Sequence, residues 1–324
     1  MATSAYRSAA VPDAGYVILI AAAAAMGGFL FGFDTAVING TVLALKDVFN
    51  ASSLGIGLAV SLALIGSAVG AFGAGPLADR IGRTRCMLLA SVMFTVSAIG
   101  SGLPFSLYDF IGWRLLGGIA VGAASVIAPA YIAECSPAEM RGRLGSLQQL
   151  AIVIGIFIAL LSNYAIASIA GSASEPFWFG QEAWRWMFWS EAPAAVIYGF
   201  FAFVIPESPR FLVAQGRHDD AHEVLLRIVG DRASHRVAEI RRTVSRERKP
   251  KLSDLRGRFG LLPIVWVGMG LSMFQQFVGI NVIFYYSSVL WRIVGFTEQN
   301  ALLITMITGL TNIITTLVAI AFID

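Results

Sequence analysis

Apolar residues in this chain come in long unbroken runs, not in alternation. Between Ala14 and Leu45 the one charged side chain is Asp34, within GGFLFGFDTAVING. A helix rises ~1.5 Å per residue, so it needs ~20 apolar residues to cross a ~30 Å hydrocarbon core, whereas a tilted strand needs about half that. Eight runs reach helical length, at 15–38, 54–76, 86–104, 109–133, 146–169, 185–205, 260–290 and 299–323. The pattern predicts an all-α polytopic membrane protein. The first run is too long for a removable leader and lacks a small-residue cleavage site. Residues 216–249 break the pattern by mixing charge with Leu, Ile and Val at helical spacing. They predict two or three short amphipathic helices on a membrane face, acting either as a solvated linker or as a membrane-surface or gating element.

Composition supports the class. Hydrophobic residues make up 57% and charged residues 13%, against ~25% charged in soluble domains. The placement of Lys and Arg sets the expected orientation. Turns after runs 1, 3, 5 and 7 hold only Lys46, Arg185 and Arg292. The other side holds Arg7, then Arg80, Arg83 and Arg85, then Arg141 and Arg143, then a dense set from Arg210 to Arg258. The N-terminus and the 206–259 segment are therefore expected in the cytoplasm. Cys86 and Cys135 fall at predicted cytoplasmic helix ends, where reduced thiols are expected. They and the histidines, His218, His222 and His235, show no metal-ligand spacing, so no metal or cofactor is expected. No phosphate-binding glycine loop, nucleophile elbow or metal motif points to an enzyme. NGT at 39–41 and NAS at 50–52 fit the glycosylation pattern, which is short enough to arise by chance.

The charges inside the runs carry the candidate chemistry. Asp34 lies 21 residues after Asp13 in an outward run, and Arg114 lies 20 residues before Glu134 in an inward run. Both therefore sit ~30 Å from the cytoplasmic ends of their helices. A lone charge in lipid is costly, so opposite charges at one depth are expected to face each other. Glu191, 16 residues before Glu207, lies at a similar level and joins them as a candidate cluster. One reading is a static ion pair that fixes packing. The other is a carboxylate that takes up and releases a proton, because Arg114 favours its charged form and burial its neutral form.

Amides form a second set: Gln149, Gln275, Gln276, Asn281 and Asn312, with Phe31, Phe284, Tyr285 and Tyr286 as aromatic companions. Such groups suit a hydroxyl-rich solute, and they also join helices to each other. Gly279 permits a break in the seventh run. Gly66/Gly70 and Gly118/Gly122 put small residues four apart, which lets helices approach closely.

Five short stretches resemble the sugar-porter family of the major facilitator superfamily: GPLADRIGRTR at 75–85, RLLGGIAVG at 114–122, ECSPAEMRG at 134–142, PESPRFL at 206–212 and FQQFVGIN at 274–281. They occur in the family's order and between the expected runs. The resemblance implies a monosaccharide transporter working by alternating access, with a sugar and a proton as partners, in the plasma membrane. It implies a proton-coupling set of Asp34, Arg114 and Glu191. It places sugar contacts at Phe31, Gln149, Ile152, Ile156, Gln275, Gln276, Asn281, Tyr285 and Asn312. It assigns inner-gate salt bridges to Asp79, Arg80, Arg83, Glu134, Arg141, Glu207 and Arg210, all charges that physically suit pairing between helix ends. Thr84 departs from a basic residue common there.

The expected organisation is a six-helix transmembrane bundle at 1–205, a cytoplasmic linker at 206–259, and two helices of a second bundle at 260–324. The family has twelve spans, so the chain is expected to be truncated after the eighth, with a missing C-terminal half as a candidate partner. Two alternatives stay open: an uncoupled sugar facilitator, and a non-transporting fragment or sugar-binding sensor.

Overall fold

In a computed structural model of the chain, residues 13–246, 255, 257 and 260–322 are described. Arg7, Arg258 and Asp324 fall outside them. Among the described residues, eight helical spans are long and apolar enough to cross a membrane: Ala14–Gly40, Ser53–Ile81, Arg83–Gly102, Leu107–Cys135, Arg141–Ala170, Ala183–Val204, Pro263–Ile293 and Glu298–Ala321. Several extend past the apolar runs at their charged ends, because a helix continues until a cap or breaker stops it and not where hydropathy falls.

The helices are α1 (Ala14–Val37), α2 (Val42–Val48), α3 (Ser53–Ile81), α4 (Arg83–Gly102), α5 (Leu107–Cys135), α6 (Arg141–Ala170), α7 (Ala183–Trp189) and α8 (Ala192–Val204). There follow α9 (Pro209–Ala214), α10 (His218–Val229), α11 (Ala233–Arg246), α12 (Pro263–Phe277), α13 (Ile280–Ile293) and α14 (Glu298–Ala321). Short polar residues start them. Asp13, Ser52, Ser106 and Thr297 each accept a backbone N–H from the first turn of α1, α3, α5 and α14. The sixth span is broken at Ser190 and Glu191, with Pro193 opening α8. The seventh is broken at Gly279, whose φ of +78° favours glycine.

Close approach organises the bundle. A Cβ on Gly66 or Gly70 of α3 would meet the carbonyl of Leu115 or Ile119 on α5. A Cβ on Gly118 or Gly122 would meet the carbonyl of Ala63 or Ser67 in return. The two helices therefore pack backbone to backbone, as their glycine spacing predicts. A second seam joins α1 and α6, where Gly32 faces the Ile152 carbonyl and Gly155 faces the Phe29 carbonyl.

The apolar core has two layers. One gathers Ile20, Leu30, Phe94, Tyr131 and Tyr198 toward the start of α1. The other gathers Phe33, Phe110, Trp184 and Phe188 toward its end. Many lipid-sized side chains point outward, Phe72 and Phe203 among them, as a membrane exterior requires. At the α6–α7 turn, Phe177 stacks on Trp178 and Trp186 meets both rings edge-on, forming an aromatic patch suited to a membrane interface.

The amphipathic segment forms α9, α10 and α11 on the side where α1 begins. Asp13 N–H donates to the Arg227 carbonyl at 3.0 Å, and Arg232 reaches Glu139 at 3.4 Å. Of the second group of helices, α13 and the first half of α14 pack on α1 and α6, while α12 buries no side chain.

Candidate substrate and proton site

Between the two core layers sits one charged pair. Arg114 of α5 grips Asp34 of α1 with two donors to the carboxylate, at 2.6 and 3.1 Å, and a third contact at 3.1 Å to the Asp34 backbone carbonyl. Both residues are 3% exposed. The Phe188 ring lies 5.8 Å from the guanidinium carbon. The depth match read from the sequence thus corresponds to direct contact. Glu191 stands at the break between α7 and α8, 1% exposed, with Oε1 lacking a partner. It feels the charges of both Asp34 and Arg114 but hydrogen-bonds to neither. The cluster is therefore a pair plus a neighbouring acid. Arg114 Nε is also buried without a partner, so the site holds one unused donor and one unused acceptor.

Two adjoining cavities open beside the pair. The smaller, about 230 Å³, is lined by Asp34, Arg114, Phe31, Gln276, Asn281 and Tyr285. The larger, about 650 Å³, is lined by Phe31, Gln149, Ile156, Asn281 and Asn312 among others. Phe31 and Asn281 face both, so nine residues from α1, α5, α6, α12, α13 and α14 bring an acid, a base, amides and aromatics around shared space. Asn281 also donates to Gln276 at 2.6 Å across the Gly279 break.

Two expected sugar contacts lie elsewhere. Ile152 packs half-buried in the core, its carbonyl against Gly32, and Val153 takes its place on the cavity wall. The wall of α6 is thus Gln149, Val153 and Ile156, spaced i, i+4, i+7. Gln275 is exposed on α12 and lines neither cavity. Gln276, its neighbour about 100° further round α12, lines the smaller cavity in its place.

At the start of α4 a polar network ties helix ends together. Arg83 forks onto Glu134 with two bonds of 3.1 Å and reaches Asp79 at 3.1 Å. Glu207 accepts from the backbone N–H groups of Arg83 and Thr84 at 2.9 and 3.2 Å and from the Thr84 hydroxyl at 2.9 Å. Ser208 donates to Glu134, and Tyr131 donates to the Pro206 carbonyl at 2.7 Å. Arg210 is half-buried and engaged at the first turn of α9. Arg80 and Arg141 are exposed and pair with no described residue, so they stand outside this network. All its members belong to α3, α4, α5 and the α8–α9 turn. Thr84, Ser208 and Tyr131 were missed because a charge pattern does not reveal hydroxyls.

A further polar seam lies at the other end. Asn39 Nδ2 donates to the Phe284 carbonyl at 2.8 Å and to Ser287 Oγ at 2.9 Å. Ser288 returns its backbone N–H to Asn39 Oδ1 at 3.3 Å and its hydroxyl to the Asn39 carbonyl at 2.6 Å. Ser287 continues to Thr305 at 3.0 Å. Asn39 is 1% exposed and fully engaged, which excludes it as a glycan acceptor in this arrangement. The sequence marked it only by that motif.

The family model for sugar (and other) transporters matches residues 20–324. The chain belongs to this family. A glucose transport protein of Synechocystis is 68% identical over 311 residues, 95% of this chain and 66% of the relative. A D-xylose-proton symporter of Escherichia coli K12 is 37% identical over 339 residues, 96% of this chain and 68% of the relative. A solved major facilitator proton:xylose symporter, bound to 6-bromo-6-deoxy-D-glucose, superposes with a TM-score of 0.84 at 37% identity, covering 96% of this chain and 70% of that one. The fold is therefore that of the major facilitator superfamily, in a multi-pass membrane protein. The chain spans about two-thirds of the length of these relatives.

No group of three or more His, Cys, Asp or Glu that could hold a metal occurs among the described residues. Both cysteines are free and buried.

Proposed function

We propose that this chain carries the substrate-binding and proton-binding groups of a monosaccharide transporter that works by alternating access and symports a proton. The observation that carries the reading is that the buried Asp34–Arg114 pair and the amides Gln276 and Asn281 line one cavity. A sugar held there by amide donors and acceptors sits against a carboxylate whose charge decides how tightly Arg114 is held. Protonation of Asp34 removes the charge that anchors the guanidinium and leaves its backbone-carbonyl bond. Glu191, without a partner on Oε1, is placed to share the released cation. Phe31 and Tyr285 supply apolar faces for the ring, and Gln149, Ile156 and Asn312 extend the site.

Residues 1–205 act as the first bundle, 206–259 as a cytoplasmic linker and 260–324 as the opening helices of the second. The inner-face network of Asp79, Arg83, Glu134 and Glu207 braces the first bundle through each cycle. The Lys and Arg bias favours a cytoplasmic N-terminus, and similarity to a bacterial sugar–proton symporter favours the cell membrane.

Uptake of radiolabelled glucose and xylose into proteoliposomes, with and without an inward proton gradient, tests this. The expected result is gradient-stimulated uptake that Asp34→Asn uncouples. Uptake indifferent to the gradient would identify a facilitator, and sugar binding without uptake a sensor or fragment.

A further inference from the structure

Away from the spans, α10 and α11 enclose a groove of about 610 Å³. One wall is His218, the first residue of α10. The other is the face of α11 that carries Ser234, Val237, Arg241, Arg242 and Ser245. Those positions recur at helical spacing and point one way.

The arginines of α11 and of the turn that leads into it include two kinds. Arg232 and Arg236 are neutralised, by Glu139 at 3.4 Å and Glu239 at 2.6 Å, and both line a different cavity against the 134–139 turn. Arg241 and Arg242 face the groove and pair with no described acid. The Nδ1 of His218 is buried and has no partner. Ser234 Oγ lies 3.0 Å from His222 Nε2, and Ser245 Oγ donates to the Arg242 carbonyl at 3.1 Å. Each hydroxyl keeps unused capacity. Of the acids in the first turn of α10, Asp220 is taken by Arg217 at 2.6 Å, and Asp219 is exposed. A general excess of cations on one membrane side accounts for the number of arginines. It does not account for two unneutralised guanidinium groups converging with an imidazole and two hydroxyls on one concavity. Planar guanidinium forks match the oxygens of a tetrahedral anion.

We propose that this groove binds a phosphate group, carried either by a soluble phosphorylated metabolite or by a lipid headgroup. Arg241 and Arg242 hold its oxygens, Ser234 and Ser245 fill the remaining positions, and Val237 forms the apolar floor against the ester side.

Two titrations of the purified chain test the proposal. The first is calorimetry with inorganic phosphate at fixed ionic strength, with chloride as the comparator anion. The second is native mass spectrometry of lipid retained from nanodiscs of phosphatidylcholine with or without phosphatidylglycerol. Arg241→Gln/Arg242→Gln is compared with Arg232→Gln/Arg236→Gln, which removes equal charge from the other cavity. None of the four side chains is buried, and an unchanged melting temperature verifies the fold. Phosphate affinity reduced by about tenfold or more in the first variant alone supports the site and a soluble ligand. Phosphatidylglycerol retention lost in the first variant alone supports the site and a headgroup. Equal effects of both variants, or no binding of either probe, would overturn it.

Discussion

Replacing Asn39 with alanine removes three side-chain hydrogen bonds that tie the end of α1 to α13: to the Phe284 carbonyl, to Ser287 Oγ and from Ser288 N–H. Each buried bond contributes ~0.5–1.5 kcal/mol net. The Phe284 carbonyl and Ser288 N–H belong to a helix that offers them partners of its own, so the lower half of that range applies, and the sum is about 2 kcal/mol. An equilibrium between closed and opened seam then shifts about 30-fold. The readout is the rate at which a maleimide labels an Ala301→Cys reporter in detergent. Ala301 is 0% exposed at the start of α14, and both native cysteines are buried, so fast labelling reports opening of this seam. A second reporter, Phe105→Cys at a site 96% exposed, corrects for intrinsic reactivity. Asn39→Ala should accelerate the Ala301→Cys reaction about 30-fold and leave the Phe105→Cys reaction unchanged. Acceleration of less than twofold would refute the assignment of seam strength to Asn39.

Other perturbations follow from the same geometry. Arg83→Gln leaves the Glu134 carboxylate, 15% exposed, with Ser208 as its remaining donor, and should cost about 2–4 kcal/mol; Arg83→Lys keeps the charge without the fork, so melting temperatures should fall in the order wild type, Lys, Gln. Gly122→Val drives a branched side chain into the Ser67 carbonyl; the melting temperature should drop by several degrees or the protein should aggregate, while Gly112→Val, with open space around it, should behave as wild type. A hydrogen bond from its own backbone N–H, then the Arg232 guanidinium, hold the Glu139 carboxyl below its ordinary value. That contribution is complete above the unfolded value of ~4.3 and is lost as pH falls through the lower folded one. Protection of the α11 amides relative to intrinsic exchange should therefore fall on acidification below that point in wild type, and Glu139→Gln should show the lowered protection already at neutral pH.

The spans were legible because hydropathy and helix length depend only on the local run of residue types. The meeting of Asp34 and Arg114 was legible too, because a fixed rise per residue turns residue counts into depth. Rotation about a helix axis is a different quantity. It depends on which neighbour a face meets, and for this reason Val153 and not Ile152 reaches the cavity. Gln275 was lost for the same reason: it lies about 100° round α12 from Gln276, which takes the cavity position. The roles of Thr84, Ser208 and Asn39 were hidden for another reason. Their hydrogen bonds join residues 74 or more apart in the chain, and short polar side chains give no periodic signal.

The glycine seams give the charged pair a mechanical meaning. Gly118 lies one turn after Arg114 and is pressed onto α3, and Gly32 lies two residues before Asp34 and is pressed onto α6. Backbone-to-backbone contact leaves no side-chain slack, so α3–α5 behaves as one plank and α1–α6 as another. The Asp34–Arg114 fork is then a bolt driven through the two planks near the end of α1 and the start of α5. Loosening it does not bend either plank; it lets one slide or tilt against the other. Paired spin labels on α3 and α6 would see that displacement in Asp34→Asn, whereas labels on α3 and α5 would keep their distance.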